Sequence, residues 1–199
     1  MPVEITSRIS SGPASEPVTK TEVKAHLRLA DAVTADDAYL DNLIAAARQQ
    51  VERETGLAFV TETIIEKRHD FPRGEMFMRL FKRTPLLTVT SIAYLDGNGD
   101  SQTWDSSNYT VDVSRRPGCV WLAYNTDWPT TRKINDAVTT TYTAGYATAG
   151  DIPFEHKAAV LLAIELMYED PHLIGPAAYD RLQKRYDDLI EKIRVPTYP

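Results

Sequence analysis

The run Asp96, Gly97, Asn98, Gly99, Asp100 carries side-chain oxygens at alternate positions, as the first half of a calcium loop does. Such a loop also needs a glycine at its sixth position and a bidentate glutamate at its twelfth. Ser101 and Ser107 stand there, so the run is expected to be a hairpin turn with Asn98 and Gly99 at positive φ. The histidines, His26, His69, His156 and His172, are far apart, and none has the partner four residues away with which one helix holds a metal. They read as surface or helix-end residues.

The stretch Val138 to Tyr146, VTTTYTAGY, sets hydroxyls just before an apolar helix, where a catalytic loop would sit. No base or acid lies beside them in sequence to activate them. The chain has no glycine-rich loop ending in Gly-Lys-Ser/Thr, no three-glycine dinucleotide fingerprint and no Gly-x-Ser-x-Gly elbow. Asp36 with Asp37, and Asp187 with Asp188, are adjacent pairs on solvated helix faces, whereas acid–base work needs carboxyls set across a pocket in different environments. No catalytic, metal-binding or cofactor-binding residue is therefore expected, and the protein is not expected to be an enzyme.

With 28 Asp and Glu against 22 Lys and Arg, the net charge of −6 argues against wrapping nucleic acid, which needs clustered cations to neutralise phosphates. The basic clusters, Lys67 to His69, Phe81 to Arg83, and Arg115 with Arg116, are short and lack the interleaved aromatics of a single-strand platform. They read as rims or subunit contacts. Cys119 is the one cysteine and lies in the apolar run CVWLAY, so it is expected to be a buried structural thiol in a reducing compartment. No apolar run approaches the roughly 18 residues of a membrane span. The start of the chain lacks the basic and apolar regions of a signal peptide, so the protein is expected to stay where it is made.

The elements that must position these residues fall into two kinds. Thr19 with Glu22 makes a capping box, and Val18 with Val23 a hydrophobic staple, at the start of a short helix. Thr34 with Asp37 repeats the capping pattern before a long helix from about Asp36 to Thr55, with Leu40, Leu43, Ile44, Ala47 and Val51 on one face and Gly56 as its stop. Beyond Gly56 the apolar period shortens to two, in TETIIEKRH, MFMRLF, LLTVTSIAYLD, NYTVDV, CVWLAY and DAVTTTYT, with turn clusters between them. Trp104, Trp121 and Trp128 all lie here and are expected to give this region a small core of its own. The helical period returns after Asp151, a cap, and Pro153, a first-turn residue, in a helix apolar nearly all round from Ala158 to Met167. A last helix carries Leu182, Tyr186, Leu189, Ile190 and Ile193 on one stripe, with Asp188 and Lys192 as an i,i+4 pair.

The fold class is therefore α+β: a helical bundle with an antiparallel β subdomain inserted between the second and third long helical segments. Residues 1–17 read as a flexible arm, 18–57 and 144–194 as the helical core, 58–143 as the β subdomain and 195–199 as a tail. Gly145, Asp151 and Pro153 read as the structural hinge through which the chain returns from sheet to helix.

The order TKTEVKAHLRL, DDAYLDNLIAAARQQVERETG, an extended region closing in VTTTYTAGY, and IPFEHKAAVLLAIELMYED resembles the head-tail connector (adaptor) proteins of tailed bacteriophages and the related adaptors of phage-like gene transfer agents. Residues from about 58 to 143 resemble the β insertion of that family's longer members. The resemblance implies a structural component of the neck of a phage or phage-like particle, made in the bacterial host cytoplasm and assembled as a ring of twelve copies beneath the portal protein. It implies contacts with neighbouring copies, with the portal and with the next neck or tail protein, and a channel through which DNA passes without specific binding. The acidic balance suits such a channel, because a basic lumen would hold phosphates. Family members reach into the portal with their C-terminal ends, a role that falls here on Arg194, Val195 and Tyr198. Another neck component, a stopper or tail terminator, is the nearest alternative. A hydrolytic or ligand-binding module with a pocket lined by the three tryptophans, and DNA binding by the β subdomain, are the readings from other classes.

Overall fold

Thr19 and Glu22 close the expected reciprocal cap: the Glu22 amide donates to Thr19 Oγ1 at 3.2 Å and the Thr19 amide to Glu22 Oε2 at 2.6 Å. The computed structural model describes residues 5–11, 15–32, 34–80, 83–169 and 174–195. Among them are four α-helices and eight strands, so the fold is α+β. The helices are α1 (Lys20–His26), α2 (Asp37–Thr55), α3 (Phe154–Tyr168) and α4 (Pro176–Ile193). The strands are β1 (Ile5–Ser11), β2 (Glu62–Arg68), β3 (Phe77–Leu80), β4 (Leu86–Leu95), β5 (Ser101–Thr103), β6 (Tyr109–Asp112), β7 (Gly118–Leu122) and β8 (Val138–Ala144). The chain divides into two units, Met1–Pro13 with Thr61–Gly145, and Ala14–Val60 with Tyr146–Pro199.

The helical unit is held by the α2 stripe. Leu40, Leu43, Ile44, Ala47 and Val51 are all buried, and they meet Ala159, Val160, Ala163 and Ile164 of α3 and Leu182, Tyr186 and Ile190 of α4 in one core. Val18 and Val23 are buried in it as well, as a staple requires. Gly56, at φ 76°, ends α2 in the left-handed conformation that glycine adopts without a Cβ penalty. The start of α2 differs from expectation: its cap residue is Asp36, with no side-chain cap bond, and Asp37 instead pairs with Lys24 at 2.6 Å and Lys20 at 3.5 Å. Two lysines of α1 take that carboxylate in place of a helix amide.

The β unit holds a five-stranded antiparallel sheet in the order β1-β2-β8-β4-β5 and a three-stranded one in the order β3-β7-β6. Strict alternation in β2 and β8 puts Ile64, Val138 and Tyr142 on a buried face and Thr63, Ile65, Thr139, Thr141 and Thr143 on the other. Residues 1–17 were expected to form a flexible arm, and here the structure differs. Ile5 to Ser11 pair with β2 from Arg68 back to Thr63, because an edge strand is held by its backbone ladder and needs few apolar side chains.

Burial of charge is the second departure. Glu52, Glu62, Glu66, Arg48 and Arg68 are all buried. Arg48 donates to Glu52 at 2.9 Å and to Glu16 at 2.8 Å, and Glu52 also accepts the Phe59 amide at 3.0 Å. Burial would lower the Arg48 pKa, but the two carboxylates raise it above its ordinary value. In the β unit Arg83 meets Glu62 at 3.0 Å and Arg68 meets Glu66, which also accepts from the Tyr142 hydroxyl at 3.2 Å. Lys67 to His69 and Phe81 to Arg83 were expected to be rims or subunit contacts; Arg68 and Arg83 are instead partners of interior carboxylates, while Phe81 and Lys82 lie outside the described residues.

Candidate functional site

The acidic loop binds itself. Asp96 Oδ1 accepts from the amides of Asn98, Gly99 and Asp100 at 2.9, 3.0 and 3.1 Å, and Oδ2 accepts from Gln102 at 3.0 Å. Gln102 and these amides hold the Asp96 carboxyl below its ordinary pKa. The run is the β4–β5 hairpin turn, with Gly99 at φ 97°; Asn98, expected at positive φ, keeps an ordinary one because the Asx contact already turns the chain. Among the described residues no three His, Cys, Asp or Glu side chains converge as a metal site.

The histidines are not all at the surface. His156 is buried in α3, between Phe59 and Tyr146, with Tyr146 Oη 3.3 Å from Nδ1. His26 Nε2 lies 2.8 Å from Glu165, and His172 falls outside the described residues. Cys119 is buried, as its apolar run requires, and burial pushes its thiol up. Trp104 and Trp128 pack with Phe71 at centroid distances of 5.5 and 5.2 Å and lie 5.1 Å from each other. Trp121 instead packs on Phe77 at 4.7 Å. The indoles therefore fill one aromatic cluster and one separate pair, and they do not line a single concave site.

Each unit carries a shallow groove among its described residues. One, on the open face of the larger sheet, is lined by Thr6, Arg8, Ile65, Lys67 and Asp136, with Asp136 already bound by Thr6 at 3.2 Å and Lys67 at 3.3 Å. The other lies along α3 and α4, beside Glu165, Glu169, Arg181 and Arg185. Neither is lined by a histidine or cysteine, and the hydroxyls of Thr139, Thr141 and Thr143 stand on the sheet's half-buried face.

The expected hinge residues have distinct roles. Gly145, at φ 115°, is the last residue of the β unit and donates its amide to the Pro85 carbonyl at 2.8 Å. Asp151 is not the cap of α3: its carboxylate accepts from Thr148 N at 3.0 Å and Oγ1 at 2.8 Å, closing a capping box on a short 3-10 turn, Ala149–Asp151. Pro153 itself occupies the N-cap position of α3, because the intervening turn uses the Asp151 side chain first. At the C-terminal end, Arg194 caps α4 and the Val195 amide donates to the Thr55 carbonyl at 2.9 Å; Tyr198 lies outside the described residues. Lys192 pairs with Glu155 of α3 at 2.8 Å and Asp188 with Lys184 at 3.7 Å, in place of the expected Asp188–Lys192 pair.

What these features share is packing and capping. Residues 19–77, which contain α1, α2 with its Gly56 stop, and β2, match the family described as Phage gp6-like head-tail connector protein. The resemblance to head-tail connectors holds. A likeness of fold to solved structures extends well past the matched residues. A chain in the neck of an empty GTA particle, computed with C6 symmetry, is similar at 20% identity and a TM-score of 0.73, over 98% of this chain and 97% of that one. A chain in the virion of a native gene transfer agent (GTA) particle is similar at 19% identity and 0.73, with the same coverage. A third, in the neck of a native GTA particle computed with C12 symmetry, reaches 0.70 at 19% identity, again over 98% and 97%. At these identities the likeness is one of fold. No curated protein matches the chain.

Proposed function

We propose that this chain is a structural head-tail connector (adaptor) of a tailed phage or phage-like particle. It forms a ring of twelve copies under the portal, extends the DNA channel and docks the next neck or tail protein. The observation that carries this reading is the shared fold along 98% of the chain with a protein of a GTA neck, joined to the connector match over α1 and α2. In this reading α1 to α4 are the adaptor core, the β unit is an insertion between α2 and α3, and Gly145 is the hinge of return. Arg194, Val195 and Tyr198 reach the portal, and DNA slides past without specific binding. The protein is made in the cytoplasm of the bacterial host and works in the particle.

Imaging of assembled particles, with this chain located relative to the portal, tests the proposal. A ring of twelve copies directly beneath the portal is expected. A position further down the neck makes it a stopper or a tail terminator, and absence from the particle overturns the reading.

A further inference from the structure

The solvent side of α4 carries an ordered row of charge. Leu182, Tyr186, Ile190 and Ile193 turn into the core of the helical unit, which leaves Arg181, Lys184, Asp188 and Glu191 exposed on the opposite side. Their spacing of three, four and three residues is that of a seam along which one helix packs on another. Taken from the N-terminal end, the row is two cations followed by two acids.

The chain does little to satisfy this row itself. Lys184 and Asp188 pair at 3.7 Å, with side chains 77% and 65% exposed. Arg181 and Glu191 make no ion pair or side-chain hydrogen bond among the described residues. Arg181 borders the groove that also holds Glu165 and Glu169, yet it pairs with neither. Lys192, beside the row, is taken by Glu155 of α3 at 2.8 Å. Within the row like charges are neighbours one turn apart, Arg181 with Lys184 and Asp188 with Glu191, which mildly disfavours an isolated helix.

Reversed, the row is its own complement. Tyr186 is the midpoint, with Arg181 and Glu191 about 7.5 Å along the axis to either side of it and Lys184 and Asp188 about 3 Å. A second α4 laid antiparallel on the first, with the two-fold axis level with Tyr186, sets Arg181 at the height of the partner's Glu191 and Lys184 at the height of the partner's Asp188. The symmetry makes each pairing twice. A parallel copy in the same register would set every charge against its like.

We propose that the free protein associates through this face as an antiparallel α4–α4 dimer. Exposed ion pairs are individually weak, so the contact is a weak one that salt screens, and the order of the charges fixes its direction. The dimer does not depend on the connector reading, but it has a consequence for it. Copies in a ring all point the same way, so a two-fold pair must open before either copy enters a ring.

Sedimentation equilibrium of the full chain in about 20 mM and about 0.5 M NaCl tests the proposal. A monomer–dimer equilibrium is expected in low salt, shifted to monomer in high salt. Arg181→Glu removes two cross pairs and sets acid against acid, and should weaken the dimer about tenfold. Adding Glu191→Arg to it restores opposite charges at both positions and should restore the dimer. Circular dichroism checks the fold of each variant, and Arg181→Gln, with a smaller loss expected, replaces Arg181→Glu if that one does not fold. A monomer in low salt, or a dimer indifferent to the change at Arg181, overturns the proposal, as does a folded double variant that stays monomeric. Imaging of particles keeps the two readings apart: a ring of this chain with a monomeric free protein sinks the dimer alone, and a dimer without any ring sinks the connector reading alone.

Discussion

The amide of Val195 donates to the carbonyl of Thr55 at 2.9 Å, tying the residue after the last helix to the final turn of α2. A Cβ at Gly56 would stand 3.8 Å from Val195 Cβ, so the two backbones run close together. Val195 is therefore fixed to the helical unit, and the proposed portal contact starts from that point. Removing residues 196–199 should leave stability unchanged and abolish portal binding. Removing Val195 as well should cost about 1 kcal/mol for the lost hydrogen bond and contact. Denaturant unfolding and portal pull-down of the two truncations separate these effects; normal portal binding by both would refute the role of the tail.

Gly145 and Thr141 lie on one strand and its exit, yet they should respond oppositely to substitution. Gly145 is at φ 115°, where an L side chain is strained. Gly145→Val should cost about 1–3 kcal/mol, while Thr141→Ala, on the half-buried face of β8, should stay within about 0.5 kcal/mol. Thermal unfolding of both variants checks the contrast.

Glu52 is 1% exposed and serves both Arg48 and the Phe59 amide. Glu52→Ala strands a buried donor and half of a buried ion network, and should cost about 3–5 kcal/mol. Glu52→Gln keeps an acceptor for Phe59 and should cost less. Equal losses in the two variants, measured by urea denaturation, would show that the loss comes from the carboxylate charge paired with Arg48 and that the acceptor for Phe59 adds nothing.

Asp70 gives the β unit an acid-sensitive contact. Burial raises its pKa, but Arg73 at 2.9 Å, the Thr131 hydroxyl at 2.7 Å and the Phe71 amide at 2.8 Å outweigh that and hold it below the ordinary 3.8. A carboxyl whose folded pKa is lowered stabilises the fold above its unfolded pKa and loses that contribution as pH falls through the folded value. The Asp70 carboxyl, followed by NMR, should titrate below 3.8, and Arg73→Ala should move it upward. An unmoved titration in the variant would remove Arg73 from the account.

The elements legible in the sequence were those whose cause is local. A capping box spans three residues, the α2 stripe repeats within a turn, Gly56 supplies its own φ, and alternation marks β2 and β8 without reference to any partner. Their order along the chain was also enough to read the connector resemblance. The edge strand β1 was not legible, since its sequence, ITSRISS, has little apolar alternation and only the β2 ladder makes it a strand. Helix starts read from single residues proved ambiguous where a stronger partner stood nearby, as Lys24 does for Asp37 and Thr148 for Asp151.

The sequence by itself determined the helices of the helical unit, the change of period at Gly56 and the return to helix after Gly145, because these follow from spacings within one or two turns. Only the tertiary structure decided which charges are interior and which aromatics meet. Phe77 and Trp121 become neighbours through strand register, and register follows from pairing across long stretches of chain that no local pattern encodes.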